Sequence, residues 1–523
     1  MGSLAVTGQG GTTQAGAAER ANVVVIQTDD QNMSELYARF APPGLPEQAA
    51  MPNTLGLIAG AGISFGRYYV SDPLCCPSRA TLLSGRYAHN NGVLGNGPYG
   101  GGYGAFDKLN NLAVWLRDAG YRTIHVGKFL NFYGQPPFSD PTEVPPGWTD
   151  WETLVGEDST HYFYGYRLNV NGTVEGPFGD LGYASKDPVG CPGDPAPHDQ
   201  CDYQSDVLTQ RALDQIAASA PGGPFFLSVD YVAPHGDFQP PWGPEPAPRH
   251  YGSWTGAPLP RPPGFNERDV SEKPRFIRRA GKLGATSIAH TQEEWQKEVE
   301  SLRAVDEGVG RIVSALEASG ELGSTYVFFT SDNGFFQGEH RLQREKFLPY
   351  EPSVHVPLLV RGPGIPPGSS SAELVANLDL APTILEIAGA TPSMPVDGRS
   401  LLPYARNPAK RSRRPLLLEA FTRTVDVGAA RNQRASASIW APARDYRGIR
   451  VGPYKYVRYA GGQRELYDLR RDRHELHSRH RDPRYREVRA YLAKRLGWLR
   501  RCGGQTCRRE LRAKLPRPQP TGR

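Results

Sequence analysis

Short, unbroken apolar runs recur along this chain, each closed by polar residues. Asn22 to Thr28 (NVVVIQT) ends in Asp29-Asp30, and Thr123 to Val126 leads into Gly127-Lys128. Phe225 to Val232 (FFLSVDYV) leads into Pro234-His235, and Tyr326 to Thr330 (YVFFT) into Ser331-Asp332-Asn333-Gly334. A run without apolar/polar alternation predicts a strand buried on both faces, as in a parallel sheet. Helical stretches lie between the runs, at Asn111 to Ala119 and over the long segment Glu293 to Ser319. The alternation predicts an α/β fold: a large mixed, mainly parallel sheet sandwiched by helices. In open sheets of this kind ligands bind beyond the carboxyl ends of the strands, so four polar strand ends can converge on one crevice.

The same pattern divides the chain. Residues 1–20 are small and polar and read as a flexible tail. Residues 21–415 form the large α/β unit, with Pro-rich stretches near 236–264 and 391–415 as a long surface loop and an interdomain linker. Tyr446 to Val451 and Tyr454 to Tyr459 read as strands and Arg484 to Leu499 as a basic helix. They predict a smaller C-terminal α+β domain over 416–510, followed by a basic tail at 511–523.

Composition changes this picture little. With 523 residues there is room for one large and one small domain. The 59 Gly and 48 Pro argue for many ordered loops. The formal charge of +6 is carried largely beyond residue 440. The plain reading is a solvated basic surface, the sharper one a face for polyanions such as sulfated glycans. No motif suggests nucleic-acid binding, and no apolar run approaches a membrane span, so no stable membrane insertion is expected. The first twenty residues lack the apolar core of a signal peptide, so either a leader was removed or the protein is intracellular. Cys191/Cys201 and Cys502/Cys507 each bracket a short loop and read as local disulfides, with four unpaired thiols as the alternative. Two such loops favour a secreted or periplasmic protein, with a cytoplasmic one left open.

The sharpest chemical signal is Cys75-Cys76-Pro77-Ser78-Arg79-Ala80-Thr81-Leu82-Leu83-Ser84-Gly85. Pro77 suits a first helical position and Gly85 a helix end. Cys75 then lies near a helix N-terminus, where partial positive charge and Arg79 favour an anion. From local chemistry alone this is a reactive cysteine in an anion site, or a buried structural cysteine.

Cys-x-Pro-Ser-Arg followed by Leu82 and Ser84-Gly85 resembles the modification signature of type I sulfatases, whose first motif cysteine is oxidised to formylglycine. The resemblance covers nearly the whole chain and implies an alkaline-phosphatase-like fold. Asp29 and Asp30 match the family's first metal-binding pair, Asp332 and Asn333 the second; such oxygen ligands imply Ca2+, with Mg2+ as the alternative. Gly127-Lys128 matches the element whose lysine contacts nucleophile and sulfate. His235 matches the substrate-contacting histidine, and Lys346 the later sulfate-contacting lysine. The resemblance thus implies catalytic roles for Cys75, Arg79, Lys128, His235 and Lys346, and a formylglycine-generating enzyme as maturation partner. His89 is a candidate substrate contact or base, with a structural helix-end role as the alternative. His340, in Gly338-Glu339-His340-Arg341, either lines the pocket or faces solvent.

Within the family the chain most resembles N-acetylglucosamine-6-sulfatases, through Gly127-Lys128-Phe129-Leu130-Asn131, Ala233-Pro234-His235, Val375 to Asp379 and Cys502 to Arg508. It departs from arylsulfatases at Leu130, where they usually place a histidine. The resemblance implies hydrolysis of a sulfate ester, such as N-acetylglucosamine 6-sulfate or another sulfated sugar. The alternatives are an arylsulfatase, a phosphonate monoester or phosphodiester hydrolase of the same superfamily, and an inactive sulfated-glycan binder.

Overall fold

The computed structural model describes residues 20–156, 159–179, 202–219, 222–237, 243–421, 445–512 and 514–520. A ten-stranded sheet runs through the large unit. In chain order its strands are β1 (Asn22–Asp29), β2 (Ile63–Phe65), β3 (Arg122–Gly127), β4 (Asp150–Leu154), β5 (Tyr166–Val170), β6 (Thr173–Phe178), β7 (Phe225–Pro234), β8 (Thr325–Ser331), β9 (Leu358–Arg361) and β10 (Ser369–Ser371). Their spatial order is β10-β2-β9-β8-β1-β7-β3-β4-β5-β6. The five central strands, β8 to β4 in that order, are mutually parallel, and antiparallel pairings begin on either side.

The unbroken apolar runs have the physical meaning their pattern predicted. Along β1, Val23 and Val25 enter one core cluster, whereas Val24 and Ile26 enter another on the opposite face. Helices α1 (Cys75–Ser84), α2 (Leu112–Asp118) and α5 (Leu380–Ala388) contribute to the first layer. Helices α3 (Gln204–Ser219) and α4 (Ala285–Ala318) contribute to the second. Helix α4 starts eight residues before the segment read from sequence. The Pro-rich stretch near 236–264 is no simple surface loop, because Ala247, Trp254, Ala257 and Leu259 are buried in the second layer.

Beyond residue 415, strands β11 (Leu416–Ala420), β12 (Tyr446–Val451), β13 (Tyr454–Tyr459) and β14 (Arg464–Asp468) form an antiparallel sheet in that order. Helix α6 (Arg486–Leu499) packs on this sheet. The apolar side chains of this unit form one cluster with Tyr69, Tyr87, Phe336 and Tyr350 of the large unit. Cys502 and Cys507 are disulfide-bonded, whereas Cys191 and Cys201 lie outside the described residues. The described residues of the basic tail pack as a strap: Leu511 is buried, and Gln519 N donates to Arg484 O at 3.0 Å. Among the described residues no helix is long and apolar enough to cross a membrane.

Candidate active site

The parallel register sets the carboxyl ends of neighbouring strands side by side. Asp29 pairs with Pro234 across β1–β7, Thr28 with Ser331 across β1–β8, and Gly127 with Asp230 across β3–β7. Each polar pair read from sequence therefore emerges at one edge of the sheet. The chain turns sharply there. Asp30 takes φ 70°, and its N–H donates to Asp332 Oδ1 at 3.2 Å. Gly127 takes φ 108°, and a Cβ built on it would lie 2.1 Å from the Asp230 carbonyl oxygen. Only glycine allows β3 to run so close to β7 just before it releases Lys128.

Helix α1 supplies the cysteine. It begins at Cys75 itself, with Leu74 as N-cap, so Pro77 is the third helical residue and not the first as its sequence suggested. Proline is tolerated there because the first-turn N–H groups have no intrahelical acceptor. Gly85 ends the helix at φ 65°, and every residue from Cys75 to Ser84 is buried.

Around Cys75 Sγ, Lys346 Nζ lies at 3.1 Å and Asp29 Oδ1 at 3.7 Å. Lys346 also donates to Asp30, and Lys128 to the other Asp29 oxygen. Arg79 spans the carboxylates. Its Nε donates to Asp332 Oδ2 at 2.8 Å and its Nη1 to Asp230 Oδ1 at 3.0 Å, while Nη2 lies 3.5 Å from Asp29 Oδ2. Arg79, for which the resemblance implies a catalytic role, holds the acidic cluster together through its guanidinium. Asn333 Nδ2 donates to Asp30 Oδ1 at 2.5 Å. Its Oδ1 is buried with no hydrogen-bond partner among the described residues. His235 Nε2 faces Asp30 Oδ2 at 3.6 Å, and its Nδ1 lies 2.7 Å from the Gly236 carbonyl.

Burial and three neighbouring cations set the charges. Burial pushes Asp29 up, but the charges of Lys128, Arg79 and Lys346 together hold it well below the usual carboxylate range. Asp332 has no such surplus, and burial with Asp29 beside it raises it to about 6. Burial and the Asp29 charge push the Cys75 thiol up to about 12, against the pull of Lys346 and Lys128. Ligand oxygens from Asp29 and Asp30 fall within 4.8 Å of Cys75 Sγ and a His235 ring nitrogen.

Two sequence candidates are held elsewhere. His89 Nδ1 lies 2.9 Å from Glu419 Oε1, and its Nε2 lies 3.1 Å from the Cys502 carbonyl. Both nitrogens thus bind the C-terminal unit, which makes His89 a clasp rather than a substrate contact. His340 neither lines the cluster nor faces solvent: it is buried, with Nδ1 2.6 Å from Glu267 Oε2 and its ring against Tyr350.

Two residues were missed. Asp230, an anchor for Arg79, was legible in principle, since a lone carboxylate inside an apolar run must find a buried partner. His161 has no such signal. It comes from a short 3-10 turn, lies 3.1 Å through Nε2 from Lys128 Nζ and packs its ring 4.7 Å from that of His235. Leu130, at the position of the arylsulfatase histidine, is buried in the first core layer.

Comparison with known proteins places this geometry. Residues 21–390 match the family model described as Sulfatase, and residues 338–501 that of the N-sulphoglucosamine sulphohydrolase C-terminal region. Human N-acetylglucosamine-6-sulfatase is 35% identical over 75% of this chain and 65% of its own length. An arylsulfatase of Volvox carteri is 32% identical over 97% of this chain and 78% of its own length. A solved structure described as a complex with its substrate, D-glucosamine-2-N,6-O-disulfate, superposes with a TM-score of 0.70 at 22% identity. It covers 94% of this chain and 98% of that one, a likeness of fold. The chain spans about half to two thirds of the length of several curated relatives it matches.

Proposed function

The chain belongs to the sulfatase family, and on that premise we propose that it hydrolyses sulfate esters of sulfated sugars, with N-acetylglucosamine 6-sulfate as the leading candidate. The observation that carries this reading is Cys75 at the first turn of a buried helix, 3.1 Å from Lys346 and 3.7 Å from Asp29, at the meeting point of the parallel strands. Similarity to human N-acetylglucosamine-6-sulfatase supports a sulfated glucosamine, and similarity to the Volvox carteri arylsulfatase keeps an aryl sulfate as the alternative.

The residues fit a hard divalent cation. Asp29, Asp30 and Asp332 offer carboxylate oxygens, and Asn333 Oδ1 is a buried oxygen that lacks a partner among the described residues. Ca2+ is the cation we propose, with Mg2+ as the alternative. A bound cation and an aldehyde hydrate made from the Cys75 side chain would supply a nucleophilic hydroxyl of lowered pKa. Lys128 and Lys346 remain protonated, held there by Asp29 and Asp30 against the pull of burial, and serve as fixed donors to sulfate oxygens. Arg79 keeps three carboxylates in register and sets their spacing. Burial holds His235 down to about 3, so it is neutral in the resting site; an anionic ester beside it would favour uptake of a proton from solvent at Nε2, which His235 would then pass to the leaving oxygen. His161 accepts from Lys128 through Nε2, which places its ring proton on Nδ1, towards Thr160 Oγ1 at 2.9 Å.

Because α1 is buried throughout, a formylglycine-generating enzyme must read Cys75, Pro77 and Arg79 before the chain folds. The Cys502–Cys507 disulfide and the extracellular sulfatases among the relatives support a secreted protein.

The test measures free sulfate from sulfated mono- and disaccharides, alongside an aryl sulfate, a phosphate diester and a phosphonate monoester. Turnover of the sugars is expected, with metal content and turnover both lost in Asp29→Ala and Asp332→Ala. Preference for aryl sulfate would make it an arylsulfatase, and preference for phosphorus esters a phosphonate or diester hydrolase. Retention of metal and activity in both variants would remove the proposed ligand set.

A further inference from the structure

The C-terminal strap closes one side of a groove far richer in positive charge than the chain at large. The groove, of about 740 Å3, is lined by eighteen of the described residues, seven of them Lys or Arg. With 60 Lys and Arg in 523 residues, chance would supply about two. The lining includes a single carboxylate, Glu373, which is already bound by Arg399 Nη2 at 2.6 Å and by Ser412 N at 2.8 Å. Arg414 is likewise engaged, donating to both oxygens of Asp379 at 2.7 and 2.6 Å. The remaining six, Arg67, Arg411, Arg413, Arg470, Lys514 and Arg517, have no ion-pair partner among the described residues.

These charges are carried on fixed backbone. Leu511 N donates to Arg413 O at 3.1 Å, and Tyr454 Oη donates to Pro516 O at 3.1 Å. Leu515 packs on the apolar cluster shared by the two units and holds the strap that carries Lys514 and Arg517. Arg67 is pinned by the Ala372 carbonyl at 3.4 Å and the Gly452 carbonyl at 2.5 Å. Burial and the Arg450 guanidinium beside it hold Arg67 below the usual arginine range. Like charges gathered in a concavity repel one another, and a multivalent anion relieves that repulsion while losing little to ordering of the protein. The volume lies within the range of small-ligand sites, about 300–1,000 Å3.

We propose that this groove is a second anion-binding site that holds a sulfate-bearing stretch of a polysaccharide outside the Cys75 cluster. That the anion is a glycan rests on the sulfatase reading; that an anion binds does not. Single-stranded nucleic acid is the weaker fit, since such sites stack bases on aromatic platforms. Here Tyr454 is the one aromatic in the lining, and its hydroxyl is tied to the strap. A chain held in the groove would keep its neighbouring sulfates at high effective concentration near the enzyme.

The test titrates the full protein with a short dextran sulfate, with unsulfated dextran of the same length and with single-stranded DNA of matched charge. Salt-sensitive binding of dextran sulfate alone is expected. The triple variant Arg411→Ala, Arg413→Ala, Arg470→Ala should bind it about tenfold or more weakly. The corresponding triple Lys variant should keep most of the affinity, and both should hydrolyse a small sulfated monosaccharide as the wild type does. Undiminished binding in the Ala variant, loss in the Lys variant as well, or equally tight binding of DNA would each overturn the proposal. A wild type that binds dextran sulfate but hydrolyses no sulfate ester would overturn the catalytic reading and leave the groove standing.

Discussion

Cys75 and Cys76 are adjacent and equally buried, yet their surroundings divide them. Cys75 Sγ meets Lys346 and Asp29, whereas Cys76 Sγ receives the Asn131 N–H at 3.2 Å and lies 3.4 Å from Asn131 Oδ1. Cys75→Ala should therefore be inactive, and Cys75→Ser should stall as a sulfated serine because it lacks the second hydroxyl. Cys76→Ala should keep substantial activity at a packing cost of about 1–2 kcal/mol. Peptide mass spectrometry with aldehyde labelling checks the assignment, and an aldehyde on residue 76 would refute it. His161 carries the second prediction at this scale. Lys128 has three N–H bonds; Asp29 and His161 fix two of them, and tetrahedral geometry then fixes the third. His161→Phe fills the volume without an acceptor and should lower kcat about 10–100-fold with a smaller change in KM. His161→Gln, which restores an acceptor, should recover part of the loss. Equal kcat in both variants would reduce His161 to a packing residue. The motif made Cys75 and Arg79 legible in the sequence. His161 was not, because a loop side chain acquires its role from what the fold brings beside it.

At the scale of elements, the strand ends and helix α1 do the positioning, and the contact with the C-terminal sheet holds α1's surroundings in place. Two residues past α1's terminal Gly85, Tyr87 N donates to Asp397 Oδ2 at 2.9 Å; then His89 reaches Glu419 on β11. Burial lowers the His89 pKa, but the hydrogen bond and charge of Glu419 outweigh it and raise the group above the ordinary histidine value. The linkage has a definite sign. A raised folded pKa gives stability that is fully present below about pH 6.5 and is lost as pH rises through the folded value. His89→Asn should thus destabilise the protein by about 1–3 kcal/mol in mildly acid buffer. The difference from wild type should shrink as pH climbs past the folded pKa, as read by chemical denaturation. Turnover of a small ester should fall little. A large loss of turnover at unchanged stability would return His89 to the substrate site. The strands were legible as elements because a run buried on both faces has no polar interruptions. The helix start at Cys75 was not, since Pro77 is compatible with either the first or the third position of the first turn.

At the scale of the molecule, two units share a core: the C-terminal sheet and α6 form one apolar cluster with side chains of the large unit. The Cys502–Cys507 bridge belongs to that cluster, with both cysteines buried and the Cys502 carbonyl receiving Asn90 Nδ2 at 2.8 Å. Its loop is short, so the chain-entropy stabilisation is about 2 kcal/mol. Reduction should lower the melting temperature by a few degrees and leave turnover at room temperature largely intact. A collapse of activity without a thermal shift would contradict a purely stabilising role. The basic C-terminus shows where composition stops. Its sequence reads as a solvated tail, and only the burial of Leu511 and the seating of Leu515 make it a strap. Local pattern by itself determined the sheet class, the polar strand ends and the cysteine motif, because periodicity, turn residues and a short linear signature are properties of neighbours along the chain. Tertiary structure alone decided that Asp230 anchors Arg79 and that His161 reaches Lys128. It also decided that His89 and His340 are held away from the cluster, and that unpaired cations from four separate segments line one groove. The buried pairings depend on groups far apart in sequence meeting across an interface, where the cost of an unpaired charge selects the partner, and the groove depends on distant segments meeting at the surface.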